Sequence, residues 1–232
     1  MTFDSGGKLY IVSTPIGNLG DITCRALDVL RSVDLIAAED TRHTRKLLAH
    51  FDIHTQMCSY HAHNEHHKTA ELVEKVKSGL KLAVVSDAGT PAVADPGFLL
   101  VREAAAAGIK PEIIPGVSAL TFAATAAGLP VDKFAFYGFP PVKSGRKTAF
   151  FENIAGEGKT VIIFESPHRL EKTLEYISEI IGRNTPVALI REATKLHEEI
   201  LRGAAAELLE QNRNRKWKGE CVLVISPPEQ EK

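Results

Sequence analysis

The segment AEDTRHTR holds the densest set of groups that could do chemistry. Between Glu39 and Arg45 it places two carboxylates, two guanidinium groups and an imidazole directly after an apolar run. Such groups are costly to hold close together unless they pair with one another or face a ligand. The cluster as a whole therefore indicates a functional site. An alternative for single residues is that Asp40 or Thr41 caps a following helix, with the arginines on its solvent face.

A second candidate site is the loop SDAGTPAVADPG, which follows the apolar run Leu82 to Val85. This pattern is typical of a buried parallel strand that ends in a loop. Parallel sheets bind ligands outside the carboxyl ends of their strands. The two glycines and two prolines predict fixed turns and a backbone that a ligand can approach closely. The alternative is an ordinary connection between a strand and a helix.

Charged groups also follow two apolar runs in the second half of the chain. Glu165, His168 and Arg169 follow VIIF, and Arg191, Glu192 and Lys195 follow PVALI. We expect both groups on one rim of a sheet. The alternative is a set of solvated strand ends with one or two ion pairs.

The segment HAHNEHH, with four histidines, raises the question of a metal site. It lacks the HExxH spacing that places two histidines on one helix face beside a carboxylate. We therefore favour a polar loop in which Asn64 caps the next helix, and we predict no metal.

The elements that position these residues follow from hydrophobic periodicity. In the first half, five apolar runs alternate with helical patterns, which predicts an open and mostly parallel α/β sheet. Asp21 is the expected cap of the first helix. The helix SALTFAATAAGL is small and apolar on all sides, which predicts burial between layers. In the second half more strands follow one another directly, which predicts a mixed sheet.

Composition limits the function classes. The 232 residues are 44% hydrophobic and 25% charged, with a formal net charge of -1, as expected of a globular chain. A local basic face is still enough to bind nucleic acid. The three cysteines show no CxxC spacing, which predicts reduced thiols in a cytoplasmic protein. We find no signal-peptide pattern and no run of membrane-spanning length.

Taken together, these segments resemble a known family. STPIGNLGD, AEDTR, SYHAHNE, SDAGTPAVADPG, PGVSA, FESPHR, REATK and KGE occur in the order and spacing of the bacterial ribosomal RNA small-subunit methyltransferase I family. That family is a branch of the tetrapyrrole-methylase superfamily, also called class III methyltransferases. The resemblance extends from Leu9 to Ser226. Small departures, such as Ala92 to Ala94 and Phe164, concern substrate fine-tuning rather than the class.

The resemblance implies a two-domain α/β enzyme that binds S-adenosylmethionine in a cleft between its domains. Residues 1–117 would form an open, mostly parallel domain on the RNA side, and residues 118–232 a mixed-sheet domain that completes the cleft. Such enzymes typically work as homodimers and methylate the ribose 2′-hydroxyl of a cytidine in the decoding centre of 16S rRNA. By position, the cofactor residues would be Pro15, Asp87, Ala88, Gly89, Thr90, Val93, Ser118, Ala119, Phe164, Glu165, Gly219 and Glu220.

The chemistry of methyl transfer adds candidate roles. A ribose hydroxyl is a poor nucleophile until it loses its proton, so a positioned base should help. Glu39, Asp40 and Glu165 are the candidate bases, and Arg42 and Lys195 are cations that could bind phosphate or lower the pKa of the hydroxyl. Tryptophan and cations in RNRKWK could stack on a base, or the segment could be a solvated loop. The candidate phosphate contacts are Arg42, Arg45, Lys143, Arg146, Lys147, His168 and Arg169.

Three alternative functions remain open from the sequence. The first is methylation of a tetrapyrrole carbon, which would need a roomy apolar cleft. The second is a module that binds RNA or the cofactor without turnover. The third is a nucleotide-dependent enzyme such as a dehydrogenase, which the absence of GxGxxG makes the weakest.

Overall fold

The structure, a computed structural model, describes residues 6–226 of the chain. The chain divides into two compact units, Met1–Ser118 and Ala119–Lys232. This division lies one residue from the boundary expected between residues 117 and 118. We describe each unit by itself.

The first unit contains the parallel sheet that the alternating pattern predicts. The strand order is β3-β2-β4-β1-β5, and every pair of neighbours is parallel. All carboxyl ends therefore meet at one edge of the sheet. The strands are β1 (Lys8–Val12), β2 (Leu35–Ala38), β3 (Met57–Ser59), β4 (Lys81–Val85) and β5 (Glu112–Ile114). The helices are α1 (Cys24–Ser32), α2 (Thr41–His50), α3 (Glu65–Lys77) and α4 (Phe98–Ala106).

The central strand β4 shows why this sheet is covered on both faces. Leu82 and Val84 pack in one apolar cluster, and Ala83 and Val85 pack in another on the opposite face. Successive side chains of a strand point to opposite faces, so a strand covered on both sides is apolar throughout. The run before the SDAGTP loop is therefore continuously apolar because both faces of this strand are buried.

The second unit contains a mixed sheet, which confirms the predicted fold class. Its strand order is β6-β7-β10-β8-β9, with β6 and β7 parallel and the other neighbours antiparallel. The last strand in sequence lies at the centre, and all its residues are buried. The strands are β6 (Phe134–Phe136), β7 (Thr160–Glu165), β8 (Pro186–Arg191), β9 (Glu199–Ala204) and β10 (Cys221–Ile225). The helices are α5 (Ala119–Ala126), α6 (Ser144–Ala155), α7 (Leu170–Tyr176) and α8 (Ala205–Gln211).

Three local expectations need correction. The cap of α1 is Thr23, whose hydroxyl accepts the Ala26 N–H at 3.1 Å, while Asp21 belongs to a preceding 3-10 turn. Asn64 stands at the start of α3, but its side chain bonds the preceding loop instead of the helix amides. Helix α5 buries Ala123 and Ala124 against the sheet of the second unit, while its Thr121 and Thr125 face is exposed.

Other features of the described part of the chain bear on function. None of its helices is both long enough and apolar enough to cross a membrane. The three cysteines are free. Within residues 6–226, no group of three or more histidine, cysteine, aspartate or glutamate side chains is arranged to hold a metal ion.

Candidate active site

Two loops of the first unit are joined at the carboxyl edge of its sheet. The Thr14 N–H donates to the Gly89 carbonyl at 2.8 Å, and the Gly89 N–H donates back to the Thr14 carbonyl at 3.1 Å. The Ser13 and Thr90 hydroxyls lie 2.9 Å apart and share a hydrogen bond. Gly89 has φ +78°, a conformation that favours glycine. The loop after β4 is therefore held firmly against the loop after β1.

The predicted acidic residues meet at the ends of the neighbouring strands β2 and β4. The Asp87 Oδ1 accepts the Asp40 N–H at 3.0 Å, and the Glu39 Oε2 accepts the Asp87 N–H at 3.3 Å. Residues that lie 47 and 48 positions apart in sequence thus fix one another's backbone. The structure brings Asp87 together with Glu39 and Asp40, which lie on a different segment of the sequence.

Glu39 and Asp40 differ in their fitness to act as a base. Partial burial raises the pKa of Glu39. The hydrogen bond from the Asp87 N–H lowers this pKa in part, and the nearby negative charge of Asp87 raises it further. The side chain of Arg42, 2.7 Å from the Asp40 Oδ2, holds the pKa of Asp40 well below its usual range. Asp40 also caps α2 by accepting the Arg42 N–H at 2.8 Å. A raised pKa suits proton removal near neutral pH, so Glu39 is the better placed candidate.

The remainder of the SDAGTP loop is held in unusual backbone conformations. Ala92 has φ 69° and Ala94 has φ 65°, in the left-handed region that non-glycine residues seldom occupy. Val93 between them is 40% exposed, and Ala88 is half-buried. Pro15, on the facing loop, is buried. The two loops therefore place small side chains and backbone at the edge of the sheet, with Val93 the most exposed of the cofactor candidates in this paragraph.

The loop after β5 approaches β1 at Gly116. A Cβ atom built on Gly116 would lie 2.9 Å from the Ser13 Cβ, so only glycine allows this approach. The candidates Ser118 and Ala119 follow at once, and both are half-buried.

In the second unit, the structure corrects the prediction for Glu165. Its side chain is 0% exposed, and both of its carboxylate oxygens are occupied. Oε1 accepts the Ser166 N–H at 2.7 Å and lies 2.8 Å from the Arg169 guanidinium. Oε2 accepts a short hydrogen bond from the Thr173 hydroxyl and lies 3.5 Å from the Lys147 ammonium. The Glu165 carboxylate is therefore buried and fully bonded, which does not fit the role of a base. A contact of this position with the cofactor stays a prediction.

Lys147 is also misassigned as a phosphate contact. It is 4% exposed, and its ammonium donates to the Thr173 hydroxyl at 2.6 Å beside Glu165. Burial lowers the pKa of Lys147, and the Glu165 charge partly offsets this. The sequence pattern agrees with this burial, because Lys147, Phe151 and Ile154 follow the i, i+4, i+7 spacing of one buried helix face.

The neighbouring rim of the second unit is aromatic and basic. Phe164 is half-buried and packs edge-on against Phe136 at 4.9 Å and against Phe139 at 5.6 Å. Arg169 donates to the Pro140 carbonyl at 3.4 Å, besides pairing with Glu165. The remaining RNA candidates have exposed side chains. They are Lys143, Arg146 and His168 in this unit and Arg42 and Arg45 in the first unit.

Lys195 lies in a third group, with two carboxylates. Its ammonium is 2.9 Å from the Glu192 Oε1 and 2.9 Å from the Glu220 Oε2. Partial burial opposes the charge of Lys195, but the hydrogen bonds to the two carboxylates outweigh it and raise its pKa. Glu192 also accepts the Glu220 N–H at 3.0 Å, and Gly219 before it has φ +85°. Glu192 therefore organises this group, because it bonds both the Lys195 ammonium and the Glu220 backbone.

Trp217 in RNRKWK does not stack on a substrate base. It is 7% exposed and belongs to the core of the second unit, with the Arg215 guanidinium 4.1 Å from its ring. The hypothesis of a stacking tryptophan is therefore wrong.

Comparison with known proteins gives the same assignment over nearly the whole chain. The sequence profile of the family described as Tetrapyrrole (Corrin/Porphyrin) Methylases matches residues 8–209. The chain is 51% identical over 220 residues to "Ribosomal RNA small subunit methyltransferase I" of Vibrio cholerae, covering 94% of this chain and 76% of that protein. It is 48% identical to the protein of the same name from Escherichia coli O157:H7, covering 96% and 78%.

Solved structures agree on the fold. A diphthine synthase superposes with a TM-score of 0.72 at 16% identity, covering 97% of this chain and 92% of that one. A cobalt precorrin-4 methyltransferase superposes with a TM-score of 0.67 at 20% identity, covering 94% of each chain. The chain therefore belongs to the tetrapyrrole methylase family and, within it, to the family of the ribosomal RNA small subunit methyltransferases I.

Proposed function

We propose that this protein transfers a methyl group from S-adenosylmethionine to the ribose 2′-hydroxyl of a cytidine in the decoding centre of 16S rRNA. The observation that carries the proposal is the 42–51% identity to proteins named for methylation of small-subunit ribosomal RNA. The mutual hydrogen bonds of Glu39, Asp40 and Asp87 give it a candidate active site.

The residues of the first unit fit a sulfonium donor. When bound, S-adenosylmethionine supplies an electrophilic methyl group whose sulfur loses its positive charge as the methyl leaves. A carboxylate against that sulfur would stabilise the ground state more than the transition state. The Ala88 to Thr90 loop instead offers backbone groups and small side chains, fixed by the Thr14 and Gly89 hydrogen bonds. A binding surface of fixed backbone groups and small side chains, without a carboxylate at the sulfur, suits such a methyl donor.

Glu39 is the proposed base. It would accept the proton of the ribose hydroxyl while its carboxylate stays oriented by the Asp87 N–H. General base catalysis typically contributes about a hundredfold or more to the rate. Asp40 would act as a positioning residue, because its carboxylate caps α2 and orients Arg42. Lys195 would remain protonated beside Glu192 and Glu220 and would offer its charge to a phosphate.

The proposed RNA contacts are the exposed cations. Arg42 and Arg45 lie on α2, and Lys143 and Arg146 lie at the start of α6. His168 and the partly exposed Arg169 follow β7. Lys147 is excluded because it is buried. We further propose a homodimer, which would extend the basic face over two chains, and a cytoplasmic location beside the ribosome.

The alternative functions have weaker support. The solved tetrapyrrole methyltransferases are only 20–22% identical to this chain, so they bear on the fold alone. A binding module without turnover would not need a carboxylate with a raised pKa at the edge of the sheet. Only a turnover measurement separates it from an enzyme.

The test is transfer of labelled methyl from S-adenosylmethionine to small ribosomal subunits from a strain that lacks the modification. We expect label in 16S rRNA, with both free rRNA and assembled subunits assayed to find the substrate. Label in protein, or binding of S-adenosylmethionine without any transfer, would overturn the proposal. Glu39→Gln, expected to transfer methyl about a hundredfold more slowly, serves as the matched variant.

A further inference from the structure

A small cavity opens beside the acidic residues of the first unit, between α2 and the loops after β1 and β4. Its volume is about 220 Å3. Sites for drug-sized ligands are usually larger, roughly 300–1,000 Å3. The cavity is therefore of a size for one small ring rather than for a whole nucleotide. It is lined, among others, by Pro15, Leu19, His43, Lys46, Leu47 and Asp87.

The lining has two kinds of surface. Pro15, Leu19 and Leu47 are apolar and can cover the faces of a flat ring. His43 and Lys46 present nitrogen donors from α2, where the spacing i and i+3 places them on one face. Asp87 presents a carboxylate acceptor from the loop after β4.

The polar groups of this lining have donors and acceptors that are free to bind a ligand. Among the described residues 6–226, neither the Lys46 ammonium nor the His43 ring makes a hydrogen bond or an ion pair. The Asp87 Oδ1 accepts the Asp40 N–H, while Oδ2 has no hydrogen bond within the same part of the chain. Two donors and one acceptor therefore face a cavity of the size of one ring.

We infer that this cavity holds the base of the nucleotide that is methylated and reads it as cytosine. The inference rests on the proposed function and deepens it. Enzymes that act on one nucleotide commonly take its base out of the stack into a snug pocket and bind its Watson–Crick edge. Apolar side chains then cover the faces of the base, as Pro15 and Leu47 do here.

The hydrogen-bonding pattern selects cytosine over uracil. The Asp87 carboxylate accepts from the exocyclic amine of cytosine, which is the usual partner of acidic side chains on that base. Lys46 and His43 donate to the ring nitrogen N3 and the carbonyl O2. Uracil would turn a carbonyl toward Asp87 and an N–H toward Lys46. An acceptor would then face the acceptor Asp87, and a donor would face the donor Lys46, so neither hydrogen bond could form.

The position of the cavity also suits the reaction. Pro15 and Asp87 belong both to the cavity lining and to the proposed cofactor loops. A base seated there would bring its own ribose to these loops and to Glu39, whose carboxylate accepts the Asp87 N–H.

The test compares small subunits that carry cytidine or uridine at the modified position. For the wild-type protein, we expect kcat/KM to favour cytidine. Lys46→Met removes one charge-assisted hydrogen bond and should reduce this preference roughly tenfold, and His43→Ala should reduce it in the same direction. The affinity for S-adenosylmethionine, measured by calorimetry, should stay unchanged. Lys110→Met, an exposed lysine at the opposite edge of the sheet, is the matched control.

Two results would overturn the inference while leaving the proposed function intact. The first is an unchanged preference for cytidine in both variants. The second is weaker binding of S-adenosylmethionine by Lys46→Met with the base preference unchanged, which would assign the cavity to the cofactor.

A binding measurement tests the cavity even if no methyl transfer is found. Ligand-observed NMR should detect free cytidine bound more tightly than free uridine, and Lys46→Met should reduce the difference. Equal binding of both nucleosides by the wild-type protein, or an undiminished preference in Lys46→Met, would contradict the cavity assignment. Absence of methyl transfer by the wild-type protein would count against the proposed function instead.

Discussion

Glu39 accepts the backbone N–H of Asp87 at 3.3 Å, and so joins the ends of two neighbouring parallel strands. The Asp87 carboxylate returns the contact by accepting the Asp40 N–H at 3.0 Å. Each carboxylate is thus oriented by the backbone of the other strand rather than by a flexible side chain. A base held in this way loses little orientational freedom when it takes a proton.

The first prediction concerns the proposed base. Glu39→Gln keeps the size of the side chain and an acceptor for the Asp87 N–H, but it cannot take a proton. We expect the single-turnover rate of methyl transfer to fall about a hundredfold. The affinities for S-adenosylmethionine and for small subunits should stay the same. A rate equal to that of the wild-type protein would remove Glu39 as the base.

The second prediction is the pH dependence of that rate. A base acts when it is deprotonated, so the rate should rise with pH through the pKa of Glu39. Burial raises this pKa, so the acidic limb should lie above the ordinary value of 4.5 for glutamate. The limb should vanish in Glu39→Gln. An identical limb in both proteins would show that another group titrates.

The third prediction concerns the buried pair of Lys147 and Glu165. Their side chains are 5% and 0% exposed, and removing one partner leaves the other charge buried. We expect Lys147→Met to lower the free energy of unfolding by about 3 kcal/mol, at the lower end of the range for broken buried pairs because Arg169 still pairs with Glu165.

Urea denaturation would measure this loss, with Lys110→Met as the control. An exposed substitution of this kind should change stability by less than about 0.5 kcal/mol. If Lys147→Met were equally harmless, the pair would not stabilise the second unit.

The fourth prediction separates two glycines. A Cβ atom on Gly219 would overlap the carboxyl group of Glu192, and the φ of +85° is itself unfavourable for alanine. Gly219→Ala should therefore destabilise the protein by more than about 1 kcal/mol. Gly145, within α6, has open space around its Cβ position, and Gly145→Ala should be neutral or stabilise the helix. Equal melting temperatures of the two variants would contradict this.

The fifth prediction uses the cysteines. Burial raises the pKa of Cys221 to about 12, and the thiolate is the form that reacts with alkylating agents. At pH 8, iodoacetamide should modify the exposed Cys24 first and leave Cys221 unmodified until the protein unfolds. Mass spectrometry of the peptides would show the order. Early modification of Cys221 would contradict its burial in β10.

The sequence predicted the order of elements and the carboxyl edge of the first sheet well. Continuous apolar runs such as Leu82 to Val85 indicate a buried strand. The loop that follows a parallel strand always lies at the carboxyl edge of the sheet. The sequence marked Glu39 and Asp87 as parts of two candidate sites, and the structure joins the two by hydrogen bonds.

The predictions for Glu165 and Lys147 differ from the structure because a charged residue can either face a ligand or form a buried ion pair. Glu165 ends a strand at the expected edge, but its side chain turns inward to four donors from α6, α7 and the turn after β7. Lys147 stands among arginine and lysine residues of a basic segment, yet it lies on the buried face of α6. Charge alone does not tell whether a side chain points to solvent, whereas helix periodicity indicates which face of a helix is buried.

The measurement that tests the central claim most directly is the identity of the methylated nucleoside. Small ribosomal subunits that lack the modification would be incubated with the protein and S-adenosylmethionine, and their 16S rRNA digested to nucleosides for mass spectrometry. We predict 2′-O-methylcytidine, formed by the wild-type protein and about a hundredfold more slowly by Glu39→Gln. Methylation on a base, on another nucleoside or on no RNA at all would contradict the account.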